Sequence, residues 1–192
     1  IPAVHGERYR HAEASGIRAV TLAREGTKAS RFLTPGAFRN AFRVIQCLGG
    51  STNAVIHLTA VARRCGIAVD LDDFDALGED TPVLVNLKPA GEHYMEHFYE
   101  AGGMPVMLRE IVDLLDLDTL NVSGQTLREI IAGAVEAKGQ AAIRRRAKPV
   151  YPKGGLRVLR GNLAPDGALI KESASSPHLL THIGRAIVFE SV

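Results

Sequence analysis

The sequence predicts an α/β protein in two parts, a mainly helical first part and a β-rich second part. Apolar residues recur at three-to-four spacing through most of residues 1–147, which indicates helices with one buried face. Beyond Gly155 the apolar segments are short, β-branched and alternating, which indicates strands. Residues 148–154 combine prolines and glycine, as linkers do. We therefore expect one domain over residues 1–147, a linker over 148–154 and a second domain starting at residue 155.

The helical part is divided by clear start and stop signals. Thr34-Pro35 predicts a helix start, and Gly49-Gly50 predicts its end. The next helix starts within residues 51–53, with Ser51 or Thr52 as its cap, and ends near Gly66. Further helices are predicted to open at 72–75 and to span 91–100, 105–115 and 126–137, with a short strand at 67–69 and a buried strand at 82–87. Thr126 and Glu129 have the spacing of a capping box for the last of these helices.

The β-rich part holds three strand candidates, at residues 156–160, 168–171 and 186–189. Pro165-Asp166-Gly167 has the composition of a turn between the first two. Three strands are too few for a closed barrel or a stable sandwich. The sequence therefore favours the beginning of a β domain.

Composition and charge exclude several classes of protein. With 192 residues, of which 46% are apolar and 23% charged, the chain can bury a sizeable core. A formal net charge of +2 gives no reason to expect nucleic-acid binding. No apolar run approaches the ~20 residues of a membrane span, and no signal-peptide pattern is present. We expect a cytoplasmic protein that binds neither nucleic acid nor a membrane.

The segment Gly49-Gly50-Ser51-Thr52-Asn53, followed by an apolar helix, is the strongest candidate for a binding site. Glycines allow a backbone to approach a ligand closely, and a helix N-terminus favours anions. Ser51, Thr52, Asn53 and, one turn later, His57 are therefore candidate substrate-binding residues. The alternative is that Ser51 or Thr52 only caps the helix and that His57 is a buried structural histidine.

Several motifs, in one order, resemble the family of dihydroxyacid and sugar-acid dehydratases, which also includes phosphogluconate dehydratase. They are GGSTNAVIHL at 49–58, LDDFD at 71–75, NLKPAG at 86–91, AGGMP at 101–105, GL at 155–156, LRGNLAPDGA at 159–168 and GRAIVFE at 184–190. Residues 86–89 and 171–177 are more similar to the sugar-acid branch than to the branched-chain amino-acid branch. The resemblance covers nearly the whole chain.

The resemblance implies a hydro-lyase that converts a 2,3-dihydroxy sugar acid to a 2-keto-3-deoxy acid. The alternative within the family is dihydroxyacid dehydratase of branched-chain amino-acid biosynthesis. The family uses an iron–sulfur cluster at the departing 3-hydroxyl, Mg²⁺ at the carboxylate and a serine base at C2. The fold implied is the second part of an α/β N-terminal domain, followed by the first strands of a β-barrel-like C-terminal domain.

The resemblance also implies that this chain is a fragment that lacks the catalytic groups. The family's cluster cysteines lie upstream of its GGSTN block and its serine base lies downstream. Cys47 and Cys65 do not match ligand positions, and we expect both to be buried, reduced thiols. We therefore expect no catalytic residue, no metal ligand and no bound cofactor in this chain, and no activity of the chain alone. The intact enzyme is expected to be a homo-oligomer, dimer or tetramer, acting on a small molecule.

Two readings from other classes remain open. His93, Glu96 and His97 match the H-x-x-E-H pattern of a group of zinc hydrolases, although no third ligand with clear spacing follows. Alternatively, the chain is a non-catalytic scaffold piece. The acidic run at residues 70–75 lacks the glycine and glutamate of a calcium loop, and helix capping accounts for it better.

Overall fold

A computed structural model describes residues 1–191 of the chain. The described part has seven α-helices: α1 (Glu7–Arg24), α2 (Pro35–Leu48), α3 (Thr52–Arg64), α4 (Leu71–Asp80), α5 (Met95–Glu100), α6 (Gly103–Arg109) and α7 (Leu127–Ala132). Two antiparallel strands follow, β1 (Leu156–Gly161) and β2 (Ala164–Lys171). Short 3₁₀ helices occupy Ala29–Arg31, Val112–Leu114, Glu172–Ala174 and Pro177–Leu179. The α/β class is confirmed, whereas the barrel-like continuation stays a prediction.

The start and stop signals of α2 and α3 act as the sequence predicts. The Thr34 hydroxyl accepts a hydrogen bond from the Ala37 N–H at 3.3 Å, which caps α2. Gly49, with φ at 55°, ends α2 in the left-handed conformation. The Ser51 hydroxyl then accepts from the Asn53 N–H at 3.2 Å and caps α3. The two helices are therefore joined by a connection of only three residues, 49–51.

The segment predicted as a strand at residues 82–87 is buried and extended, but it does not form a ladder. It pairs with other segments only through single bridges, at Val83 with Tyr151, Val85 with Ile143 and Leu87 with His93. Residues 67–69 likewise form no strand. The predictions were wrong here because burial and β-branched composition favour an extended backbone but do not supply a partner strand.

Three predicted helices are shorter than their sequence patterns. Residues 91–94 are not helical because the Glu92 and His93 N–H groups donate to the side chain and backbone oxygens of Asn86, at 3.2 and 3.0 Å. The helix predicted over 105–115 is divided into α6 and a 3₁₀ turn. The capping box at Thr126 is present as predicted, but α7 ends at Ala132, where Gly133 follows.

The hairpin corrects the predicted turn. Pro165, Asp166 and Gly167 lie inside β2, and the chain reverses at residues 162–163 instead. Proline is tolerated there because β2 has β1 on one side only and leaves its other edge unpaired. The strand predicted at residues 186–189 is not formed in the described structure.

Two apolar cores hold the chain together. One includes Leu84, Phe98 and Met107, from the central part of the chain. The other joins Phe42 of α2 and Phe74 of α4, whose rings meet edge to face at 5.4 Å, to Leu156 of β1. Leu156 is fully buried, so the hairpin packs directly on α2 and α4. Within residues 1–191, no helix is long and apolar enough to cross a bilayer.

Candidate functional site

A cavity of about 210 Å³ opens where four segments of the chain meet, with Met95 of α5 beside them. The first segment contains Gly49, Gly50 and Ser51, between α2 and α3. The second is the extended segment and loop through residues 83–91, the third is residues 150–151, and the fourth is the end of β2 with the turn that follows it. The lining residues with polar or charged side chains are Ser51, Asn86, Lys88, Tyr151, Lys171 and Ser173. Each segment contributes at least one polar side chain to the lining.

The loop at residues 49–51 is fixed by the hairpin from behind. A Cβ placed on Gly155 would lie 2.6 Å from the Cα of Gly49, so the two backbones touch and position 155 needs glycine, whereas position 49 favours glycine because its φ is 55°. Next to them the fully buried Gln46 accepts a hydrogen bond from the Leu156 N–H at 3.1 Å. Gly155 is therefore the residue whose backbone lies against Gly49.

The loop after residue 86 is closed by its own side chains. Asn86 is buried, its amide donates to the Glu92 carboxylate at 3.1 Å, and its oxygen accepts from the Glu92 N–H. A side chain on Gly91 would collide with Asn86. The Lys88 ammonium donates to the Tyr94 hydroxyl at 2.8 Å and lies 4.3 Å from the centre of its ring.

The end of β2 brings Lys171 and Ser173 to the cavity. Lys171 is paired directly with Leu156 across the hairpin, so the two side chains share a face of the sheet. The Ser173 hydroxyl is buried and has no hydrogen-bond partner among the described residues. Neither Lys171 nor Ser173 was predicted as a site residue, because an isolated lysine and serine give no spacing signal in the sequence. Their segment contributed only to the family resemblance.

The lining of the cavity is positively charged. It contains Lys88 and Lys171, and no aspartate or glutamate of the described residues lines it. Ser51, at the positive end of α3, also lines it. The arrangement therefore favours a ligand with an anionic or strongly polar group.

The structure separates the predicted site residues. Ser51 lines the cavity, whereas Thr52 lines a second, open cavity of about 590 Å³ beside α3 and β2. Asn53 and His57 line neither cavity, and both are exposed. The alternative of a buried structural His57 is therefore wrong: it lies on the outer face of α3, away from the buried Val55.

The zinc pattern at His93, Glu96 and His97 does not form a site. Helix α5 begins at Met95, so His93 precedes the helix and the two histidines do not share a helical face. The Nδ1 atom of His97 accepts a hydrogen bond from the Tyr94 N–H at 3.1 Å and thereby caps α5. Over residues 1–191, no group of three or more histidine, cysteine or acidic side chains is arranged to hold a metal ion.

The cysteines do not fit an iron–sulfur cluster. Cys47 is fully buried in the first core, and burial raises the pKa of its thiol to about 12. Iron–sulfur clusters are commonly held by four cysteine thiolates, and this chain has two cysteines. Cys65 is exposed at the end of α3, where the sequence analysis wrongly expected burial. The residues of this chain therefore do not by themselves hold such a group.

Comparison with protein-family models gives two consecutive matches. Residues 1–130 match the model described as dihydroxy-acid/6-phosphogluconate dehydratase N-terminal. Residues 141–192 match the model described as dihydroxy-acid/6-phosphogluconate dehydratase C-terminal. Together the two models cover most of the chain.

Curated relatives match along the whole chain. It is 48% identical to an L-arabonate dehydratase of Azospirillum brasilense and 46% identical to an L-arabinonate dehydratase of Rhizobium leguminosarum bv. trifolii (strain WSM2304). It is 44% identical to a dihydroxy-acid dehydratase of Acetivibrio thermocellus. Each match covers 100% of this chain, but 33%, 33% and 35% of the respective relatives. The chain therefore spans about a third of the length of these relatives.

Proposed function

The chain belongs to the dihydroxy-acid/6-phosphogluconate dehydratase family, and from this we propose that the protein containing it dehydrates a 2,3-dihydroxy sugar acid to a 2-keto-3-deoxy acid. The observation that carries the choice of substrate is the higher identity to two relatives named for arabonate than to those named for dihydroxy acids. The second candidate is a dihydroxy-acid dehydratase, which the 44% identity to several such relatives favours.

The proposed reaction removes one molecule of water without net oxidation. A base takes the proton from C2, hydroxide leaves from C3, and the resulting enol tautomerises to the ketone. Hydroxide is a poor leaving group and the C2 proton is weakly acidic, so metal charge lowers both barriers. We propose that an iron–sulfur cluster and Mg²⁺ supply this charge in the whole protein, held by residues other than those of this chain.

The contribution of this chain is to shape part of the substrate site. We propose that residues 49–53 face the active site of the whole protein, with Ser51, Thr52, Asn53 and His57 near the substrate. The cavity supports this for Ser51, because the first residues of the family motif at 49–58 meet the motif at 86–91 there. We also propose a domain over residues 1–147, a linker over 148–154 and a second domain starting at residue 155, together with a homo-oligomeric state and a cytoplasmic location.

The test uses the protein that contains this chain, purified anaerobically with iron and magnesium. Keto-acid formation is measured for L-arabonate, other five- and six-carbon aldonates and a branched 2,3-dihydroxy acid. We expect kcat/KM for one of the aldonates to exceed that for the branched acid by about 100-fold. A preference for the branched acid would establish the second candidate, and no keto acid from any of them would overturn both.

A further inference from the structure

We infer that Lys171 and Ser173 bind an oxyanion group of the substrate in the cavity beside residues 49–51. The identity of the substrate rests on the proposed function. The preference for an oxyanion rests on the geometry and charge of the cavity. The oxyanion is either the carboxylate of a sugar acid or the phosphate of a phosphorylated one.

Lys171 is a partly buried cation, and within residues 1–191 no carboxylate forms an ion pair with it. It lies opposite the fully buried Leu156, so its side chain leaves the sheet on the face that packs against the helices. The ion pairs of residues 1–191 do not include Lys171. The neighbouring Glu172 lies 3.8 Å from Arg157 and does not line this cavity. A bound anion beside a partly buried lysine would stabilise its positive charge.

Ser173 supplies a hydroxyl with unused hydrogen-bonding capacity. Its Oγ atom is buried from solvent, yet neither donates to nor accepts from another described residue. Its position is fixed, because the Glu172 N–H donates to the Gly155 oxygen at 3.1 Å and the Ser175 hydroxyl donates to the Lys171 oxygen at 3.2 Å. Buried hydroxyls are nearly always paired in folded proteins. An oxyanion in the cavity would accept the hydrogen bond that this hydroxyl does not make within the chain.

The rest of the lining strengthens the preference for an anion. Helix α3 is 13 residues long, and its cap, Ser51, borders the cavity, so the positive end of the helix lies there. Lys88 also lines the cavity, and within the described residues it forms no ion pair. The volume of about 210 Å³ holds an oxyanion together with part of a polyhydroxy chain.

The test measures binding and turnover on the full-length protein. Dissociation constants of L-arabonate, 6-phosphogluconate, inorganic phosphate and the uncharged alditol arabinitol are determined calorimetrically for wild type, Lys171→Met, Lys171→Arg and Ser173→Ala. We expect Lys171→Met and Ser173→Ala to weaken oxyanion binding about tenfold or more, and Lys171→Arg to retain most of it. Arabinitol binding should not change. A loss for L-arabonate and 6-phosphogluconate but not for inorganic phosphate identifies the carboxylate, and a loss for 6-phosphogluconate and inorganic phosphate but not for L-arabonate identifies a phosphate group.

Matched controls separate binding from folding. Ser176→Ala removes a nearby exposed hydroxyl that does not line the cavity, and Lys148→Met removes an exposed lysine elsewhere; both should bind like wild type. Ser173→Ala should not lower the melting temperature, because its hydroxyl has no partner to lose. Unchanged oxyanion affinity in both site variants would overturn the inference, even in an active dehydratase. Conversely, oxyanion binding that depends on Lys171 in a protein without dehydratase activity would overturn the proposed function alone.

Discussion

Gly49 and Gly155 pack backbone against backbone, with 2.6 Å between the Cα of Gly49 and the place where a Cβ on Gly155 would lie. Gly49 ends α2 and opens the loop to α3, while Gly155 directly precedes β1. This contact attaches the hairpin to the loop that borders the cavity. The spacing between the loop and the hairpin at the cavity therefore depends on two residues without side chains.

Gly155→Ala should destabilise the protein by about 1–3 kcal/mol. The added methyl group would collide with the backbone of Gly49, which cannot move aside as a flexible side chain could. Thermal unfolding of the full-length protein measures the effect. Gly16→Ala is the matched control, since nothing lies within 4 Å of a Cβ there and the position is helical; it should stabilise slightly. Equal melting temperatures for Gly155→Ala and wild type would contradict the contact.

Asn53→Ala tests the proposal that the loop at residues 49–53 faces the active site. Asn53 is exposed and its N–H, not its side chain, takes part in the cap of α3, so stability should be nearly unchanged. We expect kcat/KM to fall about tenfold or more through the loss of an amide contact to substrate. The control is Asn162→Ala in the exposed hairpin turn. A fully active Asn53→Ala enzyme would refute the role of this side chain.

His97→Ala should leave the zinc content of the purified protein unchanged, because His97 serves as a cap of α5. The lost hydrogen bond to the Tyr94 N–H should cost about 1 kcal/mol of stability. Elemental analysis and thermal unfolding on the same preparation separate the two effects. Stoichiometric zinc in the wild-type protein that is lost in His97→Ala would support the zinc hydrolase hypothesis instead.

The two thiols should differ strongly in reactivity. Burial holds the pKa of Cys47 near 12, so at pH 8 its reactive thiolate is scarce, whereas Cys65 is exposed. Iodoacetamide treatment of the folded protein, followed by peptide mass spectrometry, should find the label at Cys65 and not at Cys47. Labelling in denaturant should modify both. Equal native labelling rates would show that the first core is open to solvent.

The sequence by itself determined the features that depend on neighbouring residues. The start and end of α2, the start of α3 and the capping box at Thr126 were predicted correctly, because caps and glycine conformations are decided within a turn of helix. The family and its ordered motifs were also recognisable in the sequence. The same local rules failed where a distant group intervened, as at residues 91–94, whose N–H groups bond to Asn86 instead of starting a helix.

Only the tertiary structure decided which residues meet. Gln46 and Leu156 are 110 positions apart, and their hydrogen bond helps hold the hairpin against the helices. That packing brings Lys171 and Ser173 beside Ser51, and leaves Asn53 and His57 outside the same cavity. No periodicity encodes such a meeting, because it follows from how buried apolar surfaces of separate elements fit together. The sequence thus identified the loop at residues 49–53. The packing of the hairpin on α2 and α4 placed the cation of Lys171 and the hydroxyl of Ser173 beside it.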